Sequence, residues 1–344
     1  MTTTLWKDQL AAKSAVMHDG HVMHFGDAAA ELQAAAHGNI IADLSHLGLL
    51  EVGGEDAVKF LQGQLTNDVS LLNGNTSQYA GHCTPKGRLL AILLAFAHFD
   101  HLHLQLNGAL TESIMKRLKM YVMRSKVTIT DVSDSIIRFG VAGNDTPAAL
   151  AKIFERVPSQ IHELITMQNG ALIRLPGAIP RYQGYANAEN MPEIWAQLSK
   201  TCKPVGFSCW EWLEIQAGIP DITPATQEEF VPQMVNLDVL DGINFKKGCY
   251  TGQEIVARTH YLGKVKRRTH LAHIATDLMP QAGDDLFGET ADSIGKIVRA
   301  APAPQGGFDV LAELRLESVE AGAIHWKAQD GAVLELRELP YSLS

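Results

Sequence analysis

The chain has 344 residues, of which 46% are hydrophobic and 19% charged, and its net charge is −9. That is the make-up of a soluble globular protein with room for two or three domains. It excludes a surface built as a whole for nucleic acid, so an anionic partner needs a local basic patch.

The N-terminus, Met1 to Asp8, lacks the basic-then-apolar order of a signal peptide. Ala28 to Ala36 carries a weak helical pattern that Gly38 ends. Ile40 to Leu44 and Leu47 to Val52 read as short strands. After Gly53-Gly54, the acidic start Glu55-Asp56 favours a helix to Gln62, with Val58, Leu61 and Leu65 on one face if it runs past Gly63. Gln78 to Cys83 reads as a strand and Thr84-Pro85-Lys86-Gly87-Arg88 as a turn. Leu89 to Ala97 is the longest apolar run, too short for a membrane span and suited to a buried strand. Leu102 to Leu106 alternates like a half-exposed strand.

Thr111 to Tyr121 is predicted helical, with Ile114, Leu118 and Tyr121 on one face, and Lys126 to Thr130 is predicted as a strand. Asp131 to Ser135 marks a boundary. Beyond it come a strand at Ile136–Ala142, a helix at Pro147–Phe154, strands at Ala171–Leu175 and Tyr182–Tyr185, and helices at Met191–Cys202 and Phe207–Ala217. From Arg268 onward, short strand-like pieces alternate with glycine turns, the pattern of a small all-β barrel. The expected organisation is an α+β lobe at 1–132, a second ferredoxin-like α+β lobe at 133–204, a segment at 205–265 that packs back on the first lobe, and a C-terminal β-barrel at 266–344.

Four stretches carry chemistry beyond packing. Lys246-Lys247-Gly248-Cys249-Tyr250-Thr251-Gly252-Gln253-Glu254 puts a thiol between glycines and beside two amines, which favours the thiolate. Cys83, Cys202 and Cys209 sit in apolar or helical contexts. With no C-x-x-C and no histidines at zinc spacing, reduced thiols in the cytoplasm and no metal site are expected. Between Lys246 and Arg268 stand seven bases, Lys246, Lys247, Arg258, Lys264, Lys266, Arg267 and Arg268, against the single acid Glu254. This stripe reads either as a solvated face or as a site for an anionic tail. Leu61-Gln62-Gly63-Gln64-Leu65-Thr66-Asn67-Asp68-Val69 clusters hydrogen-bonding groups at a helix end. These could simply cap the helix, or Asn67 and Asp68 could read a heterocycle edge. On Phe207–Ala217, Trp210 and Trp212 point to different faces, so either one is core and the other could stack on a planar ligand, or both pack at a domain junction.

In chain order, Leu61–Val69, Pro85-Lys-Gly-Arg88, Glu214-Ile-Gln-Ala-Gly-Ile-Pro220, Phe230-Val-Pro-Gln233, Lys246–Glu254 and Leu339-Pro-Tyr-Ser-Leu343 resemble the YgfZ family, relatives of the glycine-cleavage aminomethyltransferase. The resemblance covers residues 38 to 344. It implies the three-lobed aminomethyltransferase-like fold, two α+β lobes and a β-barrel around a central hole, with tetrahydrofolate bound there. It also implies support of iron–sulfur enzymes or their assembly proteins, among them a tRNA-methylthiolating enzyme.

On that reading Cys249 and Lys247 are the chemical residues. Asn67, Asp68, Trp210, Trp212, Gln216, Lys246, Gln253, Glu254 and Arg258 surround the folate, whose polyglutamate tail would lie on the basic stripe. No sequence-specific nucleic-acid contact and no membrane are expected. The alternatives are a folate-dependent one-carbon transferase with Cys249 as nucleophile, or an interaction scaffold with a vestigial pocket. Gly87-Arg88-Leu89-Leu90-Ala91 lacks the acidic pair that aminomethyltransferases carry at this place, which favours the accessory role over the transferase.

Overall fold

The computed structural model describes residues 3–168, 170–289 and 292–343. Met1, Thr2 and Ser344, the ends of the expected first and last domains, lie outside the described residues. The chain divides into two compact units, one of residues 1–58, 70–78 and 94–213 and one of 59–69, 79–93 and 214–344.

The first unit holds a six-stranded sheet in the order Leu164–Met167, Gly170–Leu175, Arg181–Asn187, Ile136–Ala142, Ile40–Asp43, Lys203–Val205. Its pairs are antiparallel except the last, which is parallel. Trp6 of the helix Thr3–Ala11 and Trp195 of the helix Met191–Leu198 meet edge to face over this sheet, ring centroids 5.3 Å apart. The indole of Trp6 donates to the buried carboxylate of Asp43 at 2.8 Å. Burial pushes that carboxyl above its ordinary range, against the opposing pull of Trp6, Ser45 and Arg138.

Gly48–Gly53 in the same unit pairs antiparallel with both His101–Leu106 and Thr128–Asp131. His101–Leu106 is buried after its first residue, so its alternation does not produce a wet face. Polar partners explain this. His103 Nε2 lies 3.5 Å from Glu51, and Gln105 accepts from Gln183 and, at 3.0 Å, from Tyr185.

The second unit contains a curled six-stranded sheet in the order His325–Trp326, Asp285–Phe287, Ser293–Pro302, Phe308–Arg315, Arg267–Ile274, Leu334–Arg337. An antiparallel bridge between His325 and Val333 ties its two ends, as the barrel pattern predicts. Ile274, Leu286, Ile297, Val310, Leu314 and Trp326 fill its interior. Gly218 has φ of +69°, and an added Cβ would stand 2.5 Å from the Tyr341 ring. The Tyr341 hydroxyl donates to the Gly218 carbonyl at 2.7 Å, so these two distant strings meet in one contact.

Several elements depart from expectation. The helix Ala57–Gln62 stops before Gly63 and buries Ala57, Phe60 and Leu61, whereas Val58 is 44% exposed. The helix Thr111–Val122 buries Ile114 and Leu118 but leaves Tyr121 outside. The helices predicted at 147–154 and 191–202 end early, at Leu150 and Leu198. Thr3–Ala11, Val16–His18, His21–His24, Leu164–Met167 and Lys203–Val205 are elements the sequence pattern did not announce.

Candidate functional site: a thiol turn held on a polar loop

The site is built in the second unit from a loop and two turns. The loop follows the helix Ala57–Gln62. Gln62 clamps it from one end, donating to Asp68 Oδ1 at 2.6 Å and accepting from the Val69 N–H at 3.0 Å. Thr66 stands at its centre. Its hydroxyl donates to the Gly242 carbonyl at 2.6 Å and accepts from the Gly81 N–H at 2.7 Å. Asn67 is buried, with its amide nitrogen donating to the carbonyls of Tyr79 at 2.8 Å and Asp241 at 2.7 Å. Its oxygen takes the Asp68 N–H at 2.9 Å. Every polar atom of that side chain is thereby engaged, so Asn67 shapes the loop and does not read a ligand.

Lys247 connects this loop to the cysteine turn. Its buried ammonium donates to the carbonyls of Leu65 at 2.7 Å and Asn67 at 2.6 Å, and lies 5.3 Å from the Tyr250 ring centroid. Burial lowers its pKa to about 8, against the opposing pull of Asp68. The expected role of Lys247 as a tuner of Cys249 is corrected accordingly: the amine holds the 65–67 backbone. The Thr251 N–H adds a bond to the Gly63 carbonyl at 3.1 Å.

The third segment is the turn Thr84–Arg88, closed by hydrogen bonds from Thr84 N–H to Arg88 O at 2.8 Å and from Gly87 N–H to Thr84 O at 2.9 Å. Gly87 and Gly252 both have positive φ, +69° and +85°. A Cβ on Gly252 would stand 2.4 Å from the Thr84 carbonyl and 2.9 Å from the Gly87 Cα. The two glycines therefore let the two turns touch backbone to backbone. Gly252 also starts the helix Gln253–Tyr261, which Gln233 braces by donating to the Val256 carbonyl at 2.7 Å.

This framework presents Cys249 to solvent, with the open position of Gly248 before it. Cys83, Cys202 and Cys209 are buried, and burial pushes the thiols of Cys83 and Cys209 up to about 12. Gln253 is half-buried at the helix start, and Glu254 is exposed in the first turn, where a carboxylate suits the helix dipole. Lys246 and Arg258 are exposed.

The other predicted residues fall elsewhere. Trp210 is core of the first unit, with the Arg181 guanidinium 5.1 Å from its ring centroid and Gly140 leaving space for it. It offers no stacking face, whereas Trp212 on the same helix is half-buried. Gln216 donates to Asp309 at 2.9 Å in a network with His273 and Arg337.

The basic stripe is also divided. Arg268 pairs with Asp238 at 2.6 and 3.0 Å and Arg267 with Glu313, so both brace the barrel, and only Lys246, Arg258, Lys264 and Lys266 remain exposed. Gln62 and Thr66, which organise the loop, and Gln64, whose buried Oε1 has no hydrogen-bond partner among the described residues, received no individual role from the sequence. Their only signal was membership in one polar string.

A family model described as the GCVT N-terminal domain matches residues 13–246. The tRNA-modifying protein YgfZ of Sodalis glossinidius (strain morsitans) is 32% identical over 306 residues, covering 88% of this chain and 93% of the relative. Its counterpart in Yersinia pseudotuberculosis serotype O:1b (strain IP 31758) is 32% identical over 307 residues, with the same coverage. The glycine cleavage system aminomethyltransferase T from Bartonella henselae superposes with a TM-score of 0.78 at 17% identity, over 98% of this chain and 97% of that one.

The chain is thus a GCVT-family protein with the aminomethyltransferase-like fold. Within that class it belongs to the family of the tRNA-modifying protein YgfZ.

Proposed function

We propose that this protein is a cytoplasmic, tetrahydrofolate-binding accessory factor that supports iron–sulfur enzymes and, through them, tRNA methylthiolation. The observation that carries this reading is the presentation of Cys249, the exposed cysteine, on a turn that Lys247 and Thr251 tie to the backbone of residues 63–67 on either side of it. A thiol that served only packing would be buried like the other three.

Membership in the aminomethyltransferase-like class supports folate as the small molecule. Gln64 offers a buried acceptor without a donor among the described residues, and Asp68 a partly exposed carboxylate in the same loop. A pterin ring carries N–H donors that match such groups. Gln64 and Asp68 would therefore hold the pterin, in place of Asn67, Trp210 and Gln216. Bound tetrahydrofolate would bring a reduced pterin able to carry one-carbon units.

Two measurements test this. Calorimetric titration with tetrahydrofolate should give saturable binding and a raised Tm, as for any ligand that favours the native state; no binding heat and no Tm shift would remove folate. In cells lacking the protein, Cys249→Ala should fold and bind folate yet fail to restore methylthiolated tRNA. Full rescue would remove the thiol from the mechanism. Conversion of tetrahydrofolate to a one-carbon derivative by the purified protein alone would favour the transferase instead.

A further inference from the structure

The exposed half of the basic stripe shares a surface with unusually bare apolar side chains. Ile255, Arg258 and Leu262 recur at helical spacing along Gln253–Tyr261 and its C-cap, so they line one stripe. Ile255 is 36%, Tyr261 63% and Leu262 85% exposed. At the end of the helix, Phe245 stacks on His260 with centroids 3.8 Å apart, and Tyr261 stands edge-on to His260 at 4.7 Å. That stack fastens the segment carrying Lys246 to the last helical turn. Lys246, Arg258 and Lys264 are exposed and form no ion pair among the described residues, with Glu254 the single acid of the stretch.

The kind of occupant follows from this arrangement. A small anionic tail calls for cations that converge on an enclosed site, whereas here they stand exposed on the helix and on the segments that flank it, beside exposed apolar side chains. Single-stranded nucleic acid calls for free aromatic faces. Phe245 and His260 use theirs on each other and Ile255 and Leu262 have none, so this patch offers the one exposed ring of Tyr261 and no platform for successive bases. An apolar centre containing Tyr and Arg with a charged rim is the composition of a protein–protein hot spot, and a basic rim selects an acidic partner.

From this we infer that the outward face of Gln253–Leu262 docks a protein with an acidic rim and an apolar pocket for Leu262 and Tyr261. Cys249, on the turn leading into this helix, then lies beside the docked partner. Only that last consequence rests on the function proposed above.

The test is photo-crosslinking with p-benzoylphenylalanine introduced at Leu262 of the full chain, in cells lacking the native copy. The same group at Leu278, also exposed, is the control. A discrete protease-sensitive adduct at 262, absent at 278, identifies the partner, which is then purified and its Kd measured directly. Binding should weaken about tenfold between roughly 50 and 200 mM salt, and at least as much with Arg258→Glu plus Lys264→Glu. Circular dichroism confirms that this variant is folded.

A nuclease-sensitive adduct, no adduct, or a Kd indifferent to salt and to the charge reversal overturns the inference. So does a charge reversal that weakens polyglutamylated folate and leaves the adduct unchanged. Cys249→Ala should keep the adduct while losing rescue, which separates failure of docking from failure of the thiol reading.

Discussion

Lys247 holds its ammonium 2.6 Å from the carbonyl oxygen of Asn67, a residue 180 positions earlier in the chain. Together with the bond to Leu65, this makes a buried amine the pin between the polar loop and the cysteine turn. Lys247→Met keeps the apolar stem but leaves two buried carbonyls without their donor. It should destabilise the protein by about 1–3 kcal/mol in urea unfolding.

The same residue should leave a signature in pH. Its pKa falls from 10.5 in the unfolded chain to about 8 in the folded one. Between those values the unfolded chain binds the extra proton, so this residue's contribution to stability rises with pH across the window. Wild type compared with Lys247→Met should therefore gain relative stability from about pH 8 to 10.5, and be flat below it. A constant difference over that range would show that the amine titrates normally.

Asn67 gives a sharper contrast. Asn67→Asp is nearly isosteric but turns a double donor into a carboxylate facing the carbonyls of Tyr79 and Asp241. It should lower stability by about 2–4 kcal/mol, since a buried group is left facing like dipoles. Asp68→Asn, on a partly exposed residue, should stay within about 1 kcal/mol and instead weaken tetrahydrofolate binding. Thermal melts with and without folate separate the two effects.

The sequence revealed the strands of both units wherever hydrophobic runs were long, as in Leu89–His98 and Ile136–Ala142. Short strands such as Lys203–Val205 escaped because a three-residue edge containing proline has no periodicity to read. The cysteine turn was legible because its residue types serve packing poorly. What its neighbours do was not: Asn67 looked like a reader of ligands, yet its partner Asp241 lies 174 positions away, and no local pattern discloses that its amide is taken. Trp210 and Gln216 were misplaced for the same reason, since Arg181 and Asp309 claim them only in the folded chain. The basic stripe misled because a run of charge does not say which members meet acids across a sheet, as Arg267 meets Glu313.

The glycines of the turn should not be equivalent. Gly252→Ala forces a non-glycine residue to φ of +85° and drives its Cβ against the Thr84 carbonyl. A loss of about 1–3 kcal/mol is expected from the conformation alone. Gly248 has open space and no positive φ, so Gly248→Ala should change stability by less than about 0.5 kcal/mol. Equal losses at both positions would mean that the contact between the turns is not what the glycines protect.

Thiol chemistry provides the last discrimination. Alkylation needs a sulfur that is both reachable and able to ionise. Cys249 is exposed, whereas Cys83 and Cys209 are buried with thiols pushed up to about 12, and burial also raises Cys202. Limiting iodoacetamide at neutral pH should therefore modify Cys249 first, with the other three labelled only in denaturant, as read by peptide mass spectrometry. Because an exposed sulfur contributes little to packing, Cys249→Ala should leave the Tm within about 1 °C of wild type and remove the fast-reacting thiol altogether. If Cys83 or Cys209 is modified as fast in the folded protein, the unit that buries that cysteine opens on the labelling timescale, and Cys249 is no longer set apart by access.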